Sequence, residues 1–446
     1  MDKPKVDLIN RRDFVKTTGA AAASVLLAGS MSAATVTPLA RKRYAMIGTG
    51  HRGTGMWGKD IFDRYSNEVE FVGMCDKNGK RAEAGRKLVG ASCPTFTDFD
   101  EMIAKTRPEL LMVTTMDSTH HEFITRALAK GIDVITEKPM VTQATQCQAV
   151  LDAEKEHKRK ITVAFNYRYA PKHQKIKETL MSGEIGKITS VDFSWYLDTS
   201  HGADYFRRWH RLKSGGGSLW VHKATHHFDL INWWLGADPV EVSAYGDLNV
   251  YGKNGEFRHT NSRTCPHKAK CPFYWDVTKD TRLTKLYSEC EDVDGYMRDG
   301  CVFKEDIDIY DTMSAAVKYS NGVSMSYSLN ASMPIEGYRV AFNGTKGRLE
   351  VRDYEKQPWQ EPSQSEMYLI KNFSGKRERI EMPDVASGHS GGDDRLRDLI
   401  FKNVSVPDHM RLPDSRAGAM SCLTGIAART SIEQKRPVKI GELVKI

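Results

Sequence analysis

Tyr44-Ala45-Met46-Ile47-Gly48-Thr49-Gly50-His51-Arg52-Gly53 decides the fold of this chain. Four apolar residues read as a buried strand, and Gly48-x-Gly50-x-x-Gly53 follows with no spacer. A run that can be helical extends from Thr54 to Tyr65. The segment Val69 to Cys75 then reads as a second strand, and it ends in Asp76. In a dinucleotide fold the glycines allow a tight turn and close backbone approach. The helix N-terminus carries the pyrophosphate, and the acid accepts the ribose hydroxyls of the adenosine half. A carboxylate at Asp76 favours NAD over NADP, because it repels a 2′-phosphate.

The alternation continues downstream. Helical runs cover 99–105, 121–130 and 144–158. Strand-like runs cover 110–115, 133–136 and 161–165. Strands and helices alternating at this spacing make a parallel doubly wound sheet, with ligands at the carboxyl ends of its strands. Thr115, Asp117, His120, Glu137, Lys138, Asn166 and Arg168 fall at or just beyond such ends. From 188 onward the strand-like runs (188–196, 240–247, 313–319, 323–329, 337–342 and 348–352) lack intervening helices. They suggest an open, mostly antiparallel sheet, and 413–433 reads as a final helix. The fold class is therefore α/β, a Rossmann domain over 41–165 followed by an α+β domain over 166–446.

Composition narrows the function. The net charge of +8 is spread over 446 residues with no basic stripe interleaved with aromatics, which argues against a nucleic-acid partner. Asn10-Arg11-Arg12-Asp13-Phe14-Val15-Lys16 precedes an Ala-rich apolar stretch. We read residues 1–34 as a twin-arginine signal peptide, implying export to the periplasm. No later stretch is apolar enough to span a bilayer, so no integral membrane contact is expected. Residues 249–311 look like an insertion. Its Cys265, Cys271, Cys290 and Cys301 are structural, as disulfides or as a zinc site.

Taken in order, Gly48 to Gly53, Asp76, Glu137-Lys138-Pro139, Asn166 to Tyr169 and His226 to Asp229 resemble the Gfo/Idh/MocA oxidoreductases over residues 41 to 446. The resemblance implies NAD as cofactor and a sugar or polyol as substrate. It also implies a homo-oligomer, dimer or tetramer, joined through the open sheet. By position, Lys138 matches the lysine beside the nicotinamide and the reacting hydroxyl, and His226 matches the catalytic-site histidine. The family's Asp four residues earlier is His222 here. A second resemblance is to the NAD-dependent glycosidase branch, the α-N-acetylgalactosaminidases. That branch also has histidine at His222, and it is similar around Asp117 to His120, Tyr196 and Trp209 to Arg211. Unlike this chain, that branch lacks Lys138.

The candidate catalytic residues are thus Lys138, His226 and His222. Cofactor contacts are expected from Gly48, Gly50, His51, Arg52, Gly53, Asp76, Asp117, His120, Glu137, Lys138, Asn166, Arg168, Trp209 and Arg211. Substrate contacts are expected from Tyr196, His222, His226 and His389. His222 and His226, four apart on one helix over 221–235, suit a metal by spacing, but no third ligand is evident and no metal is expected. The leading expectation is an NAD-dependent dehydrogenase acting on a sugar or glycoside. The alternatives are a glycosidase using transient oxidation and a non-catalytic sugar-binding protein.

Overall fold

The computed structural model describes residues 41–359, 365–383, 391–402 and 404–445. The twin-arginine segment and His389 lie outside the described residues. The first six strands are β1 (Lys42–Ile47), β2 (Val69–Cys75), β3 (Thr95–Phe96), β4 (Leu110–Val113), β5 (Asp133–Thr136) and β6 (Ile161–Val163). They form one parallel sheet in the order β3-β2-β1-β4-β5-β6. β1 and β4 are buried along most of their length, as befits strands covered on both faces. The helix after the glycine loop opens with a wide π-helical stretch, Gly53–Lys59, before Asp60–Arg64.

Nine more strands make the second sheet: β7 (Ile188–Asp198), β8 (Pro239–Asp247), β9 (Thr312–Tyr319), β10 (Ser324–Met333), β11 (Glu336–Gly344), β12 (Gly347–Lys356), β13 (Ser365–Lys371), β14 (Arg377–Ile380) and β15 (Val438–Lys439). Their order is β14-β13-β12-β11-β7-β10-β9-β8-β15. Only β7 with β10 runs parallel; the other pairs are antiparallel. One face packs against Ala224–Leu235 and Ser415–Gln434, and a continuous apolar core joins it to the Rossmann sheet. Helix Ser415–Gln434 lies close against the site's scaffold: a Cβ at Gly425 would overlap the Trp220 carbonyl. At the other end, Val163 donates to the Pro413 carbonyl at 2.9 Å.

The helix expected over 221–235 is broken. Leu219–His222 is a separate short helix, and Ala224–Leu235 starts anew after Lys223. Ser218, at φ 77°, starts the first of them in a conformation costly for a residue with a side chain. Among the described residues no helix is long and apolar enough to cross a membrane. All eight cysteines are free. Cys265, Cys271 and Cys301 line one small cavity, whereas Cys290 lies apart, against Asn78 of the Rossmann domain.

Candidate functional site

The glycine loop meets the demands of a dinucleotide turn. Gly48 has φ 91°, and a Cβ there would lie 2.5 Å from the Thr114 backbone; a Cβ at Gly53 would overlap the Gly48 carbonyl. Asp76, just past β2, is nearly buried. Its Oδ2 accepts from the Thr49 backbone N–H at 2.9 Å, and its Oδ1 accepts from the Asn78 N–H at 3.0 Å. The loop and the acid therefore form one rigid unit.

The insertion closes on this unit. Tyr287 Oη accepts from the His51 backbone N–H at 2.8 Å, and Arg282 donates to the His51 carbonyl and to Thr54 Oγ1 at 3.1 Å each. Asn78 donates to the Cys290 carbonyl, and Arg81 donates to the Leu286 carbonyl and pairs with Asp294. Residues 282–294 thus lie against both the phosphate loop and the surroundings of Asp76. Replacing Tyr287 and Arg282 together by alanine is expected to speed NAD release by about thirtyfold, since the contacts of each residue are worth roughly 1 kcal/mol. Retention of NAD through gel filtration checks this; unchanged retention would refute the closure.

Glu137 and Lys138 follow β5. Glu137 Oε1 accepts from Arg52 Nε and from Trp57 Nε1 at 2.7 Å each. Burial pushes its carboxyl up, but Arg52 and Trp57 outweigh that and hold it below the usual range. Arg52 also reaches Asp393, which accepts from Asn166 Nδ2 at 2.5 Å. Asp393 sits in the first turn of helix Gly392–Phe401, whose N-cap is Gly391. His120 is held between two carbonyls, with Nδ1 2.8 Å from Pro139 O and Nε2 3.1 Å from Thr115 O. It braces the Glu137-Lys138-Pro139 corner.

Lys138 Nζ donates to the His222 carbonyl at 3.0 Å. Burial draws its amine down to about 8, against the opposing pull of Asp117 and Glu137. His222 Nδ1 stands 2.5 Å from Asp117 Oδ2. Burial pushes the Asp117 carboxyl well above the carboxylate range and the His222 imidazole well below its usual value. His210 joins them, its ring centroid 4.0 Å from that of His222 and stacked on Trp209 at 3.5 Å. In the run Gly215-Gly216-Gly217 the close approach is at Gly215, where a Cβ would lie 2.6 Å from the Trp209 carbonyl; one at Gly216 would make ordinary contact with Trp209 and with Asp117 Oδ2 at 3.5 and 3.6 Å.

Because the helix breaks at Lys223, His226 does not continue the His222 face. Its ring stacks on Tyr167 at 4.2 Å, nearly parallel, with Phe165 at its edge. Lys223 is buried over Trp195 and Tyr167, 5.1 and 5.6 Å from the ring centroids, and donates to Tyr167 Oη at 3.3 Å.

Three sequence expectations are redirected. Arg168 spends its guanidinium Nε and Nη2 on Asp229, with bonds of 2.7 and 2.6 Å. Arg211 pairs with Asp306 of the insertion at 2.8 Å. Tyr196 alternates with Trp195 along β7, so it takes the opposite face of the sheet and meets Tyr354. Sequence reasoning passed over His210 and Lys223. His210 lay inside the Trp209-His210-Arg211 triplet, whose flanking residues drew the attention. A lysine within the apolar run Leu219 to Leu235 was the available signal for Lys223.

The chain matches two family models. One is described as the oxidoreductase family NAD-binding Rossmann fold, over residues 42–165; the other is the C-terminal alpha/beta domain of the same family, over 177–440. It is 40% identical over 433 residues to a Bacillus subtilis (strain 168) protein provisionally named oxidoreductase YteT, covering 91% of this chain and 99% of that one. It is 25% identical over 197 residues to the inositol 2-dehydrogenase/D-chiro-inositol 3-dehydrogenase of Lactiplantibacillus plantarum, covering 43% of this chain and 53% of that one. Its fold is similar to that of the WlbA dehydrogenase from Bordetella pertussis, solved with NADH and UDP-GlcNAcA. The TM-score is 0.62 at 17% identity, over 90% of this chain and 98% of that one. The chain belongs to the Gfo/Idh/MocA oxidoreductase family, and its first domain binds NAD.

Proposed function

We propose that this protein is a dehydrogenase acting on a secondary hydroxyl of a sugar or glycoside, and that a twin-arginine signal exports it to the periplasm. The observation that carries the activity is the placement of Lys138. Its amine is fixed by the His222 carbonyl beside the buried Asp117–His222 pair, at the carboxyl ends of β4 and β5. Ligands of a doubly wound sheet bind at that edge. The inositol dehydrogenases that resemble the chain, and the sugar nucleotide bound by its structural neighbour, support a polyhydroxylated substrate.

Bound NAD⁺ supplies the hydride acceptor. The protein's own part is positional and protonic. Lys138 Nζ, as the free amine, takes the proton of the substrate hydroxyl as the carbon beneath becomes a carbonyl, and in reverse it returns that proton. Glu137, held by Arg52 and Trp57, fixes the backbone from which Lys138 projects. His226, stacked on Tyr167, walls the site at the Ala224–Leu235 helix.

Incubation of the mature protein with NAD⁺ and a panel of glycosides tests the reading. We expect NADH to accumulate in proportion to substrate consumed, read from the near-ultraviolet band of reduced nicotinamide. Aglycone release without net NADH would instead establish the glycosidase, in which oxidation is reversed within each turnover.

A further inference from the structure

We infer that Asp117, His210 and His222 together bind one divalent metal ion of the zinc class beside Lys138. One potential ligand atom from each lies within 4.8 Å of the other two. They come from three separate segments: the turn after β4, the Trp209–Arg211 turn and the short helix Leu219–His222. A hydrogen bond between Asp117 and His222 accounts for two of them, but it leaves His210 unexplained. His210 is 2% exposed, and its Nδ1 is buried with no hydrogen-bond partner. A buried ring nitrogen with no partner, on a residue that also brings a ligand atom to this cluster, calls for a cause.

The donor set identifies the ion. Two imidazoles and one carboxylate suit zinc or a neighbouring transition metal, whereas magnesium and calcium prefer all-oxygen shells. Three protein ligands leave a further position open, which is the pattern of a catalytic rather than a structural zinc. Gly216, with no side chain at the Asp117 carboxylate, keeps one side of the cluster clear. A bound ion would replace the hydrogen bond between His222 Nδ1 and Asp117 Oδ2, and the two atoms, 2.5 Å apart, would have to separate to hold it. Lys138 and Arg208, both acting on this cluster, oppose a cation and temper its affinity. The ion's catalytic use rests on the sugar reading above: a substrate oxygen at the open position, next to Lys138, would be polarised toward loss of its proton. Histidine at 222, in place of the family's aspartate, then serves as a ligand.

The test uses the full mature chain without a polyhistidine tag, holding its NAD. The protein is stripped with a chelator, reloaded with Co²⁺ and passed through gel filtration, and metal and NAD are counted in the same fractions. We expect about one cobalt per chain, with the visible bands of an imidazole-bound ion. His210→Gln and Asp117→Asn should each weaken cobalt binding by more than the roughly 10–100-fold typical of losing a supporting contact. In His210→Gln, NAD content and the circular dichroism spectrum should stay as in wild type. His226→Gln should keep the ion. Wild-type protein holding no more cobalt than His210→Gln overturns the inference. NADH formation that persists without the ion overturns its catalytic use but leaves the dehydrogenase standing. A bound ion with no NADH from any glycoside leaves the metal site standing and overturns the dehydrogenase reading, and with it the ion's catalytic use.

Discussion

Replacing Lys138 by methionine should lower the rate of NADH formation by about 10³-fold while leaving NAD bound, as expected for removal of a positioned acid–base group. Methionine keeps most of the length and apolar stem of the lysine and removes the amine. The Gly48–Gly53 turn and Asp76, where most of the cofactor contacts are expected, are held by bonds that do not involve Lys138. The loss should therefore fall on kcat rather than on cofactor content. The measurement is a single-turnover rate on protein whose NAD has been quantified after denaturation. A rate within tenfold of wild type would remove Lys138 from the chemistry and pass the proton to another group. A parallel loss of NAD would mean that the lysine is a cofactor anchor.

The second large effect lies outside the chemistry. Asp229→Ala should destabilise the protein by about 3–5 kcal/mol, because it leaves the Arg168 guanidinium enclosed without a counter-charge. Asp229 is 1% exposed, and the pair is bidentate at 2.6 and 2.7 Å. The double variant Arg168→Met/Asp229→Leu should recover most of the loss, since a buried ion pair and an apolar replacement are often close in energy. Urea unfolding of the single and double variants gives the coupling. A single-variant cost below about 1 kcal/mol would show that Arg168 finds another partner. The result also separates scaffold from site: NAD affinity should change far less than stability.

The parts of this architecture that are written locally could be read from the sequence. A short apolar strand, three glycines at fixed spacing and an acid at the end of the next strand constrain one another through backbone geometry alone. The structure shows that constraint as the clash any Cβ at Gly48 or Gly53 would create. The alternation of 188–196 and 313–319 likewise announced β7 and β9, whose residues alternate between core and the far face. β13 and β14 were not read. Arg377 to Ile380 is mostly exposed at the sheet's edge and has no buried stripe to betray it. The helix break at Lys223 was also hidden, because Val221 to Leu235 is apolar enough to continue as one helix. What interrupts it is tertiary, a lysine drawn inward over Trp195 and Tyr167. The partners of Arg168 and Tyr196 were hidden for a related reason. Proximity along the chain put them near the site, but a distant carboxylate claimed the first and strand parity turned the second away.

The insertion leaves and re-enters the second sheet at neighbouring positions. Asp247, the last residue of β8, is paired directly with Thr312, the first of β9. Topologically, residues 248–311 are an overgrown hairpin connection that could have been two residues long. The catalytic scaffold and the element that clasps its cofactor are thus separable in the gene by cuts at one hairpin. Lengthening or trimming that loop is expected to alter how long a dinucleotide stays resident without touching a strand of either sheet. A lineage carrying this fold could pass between a cofactor borrowed at each turnover and one carried for the life of the molecule by editing a single connection.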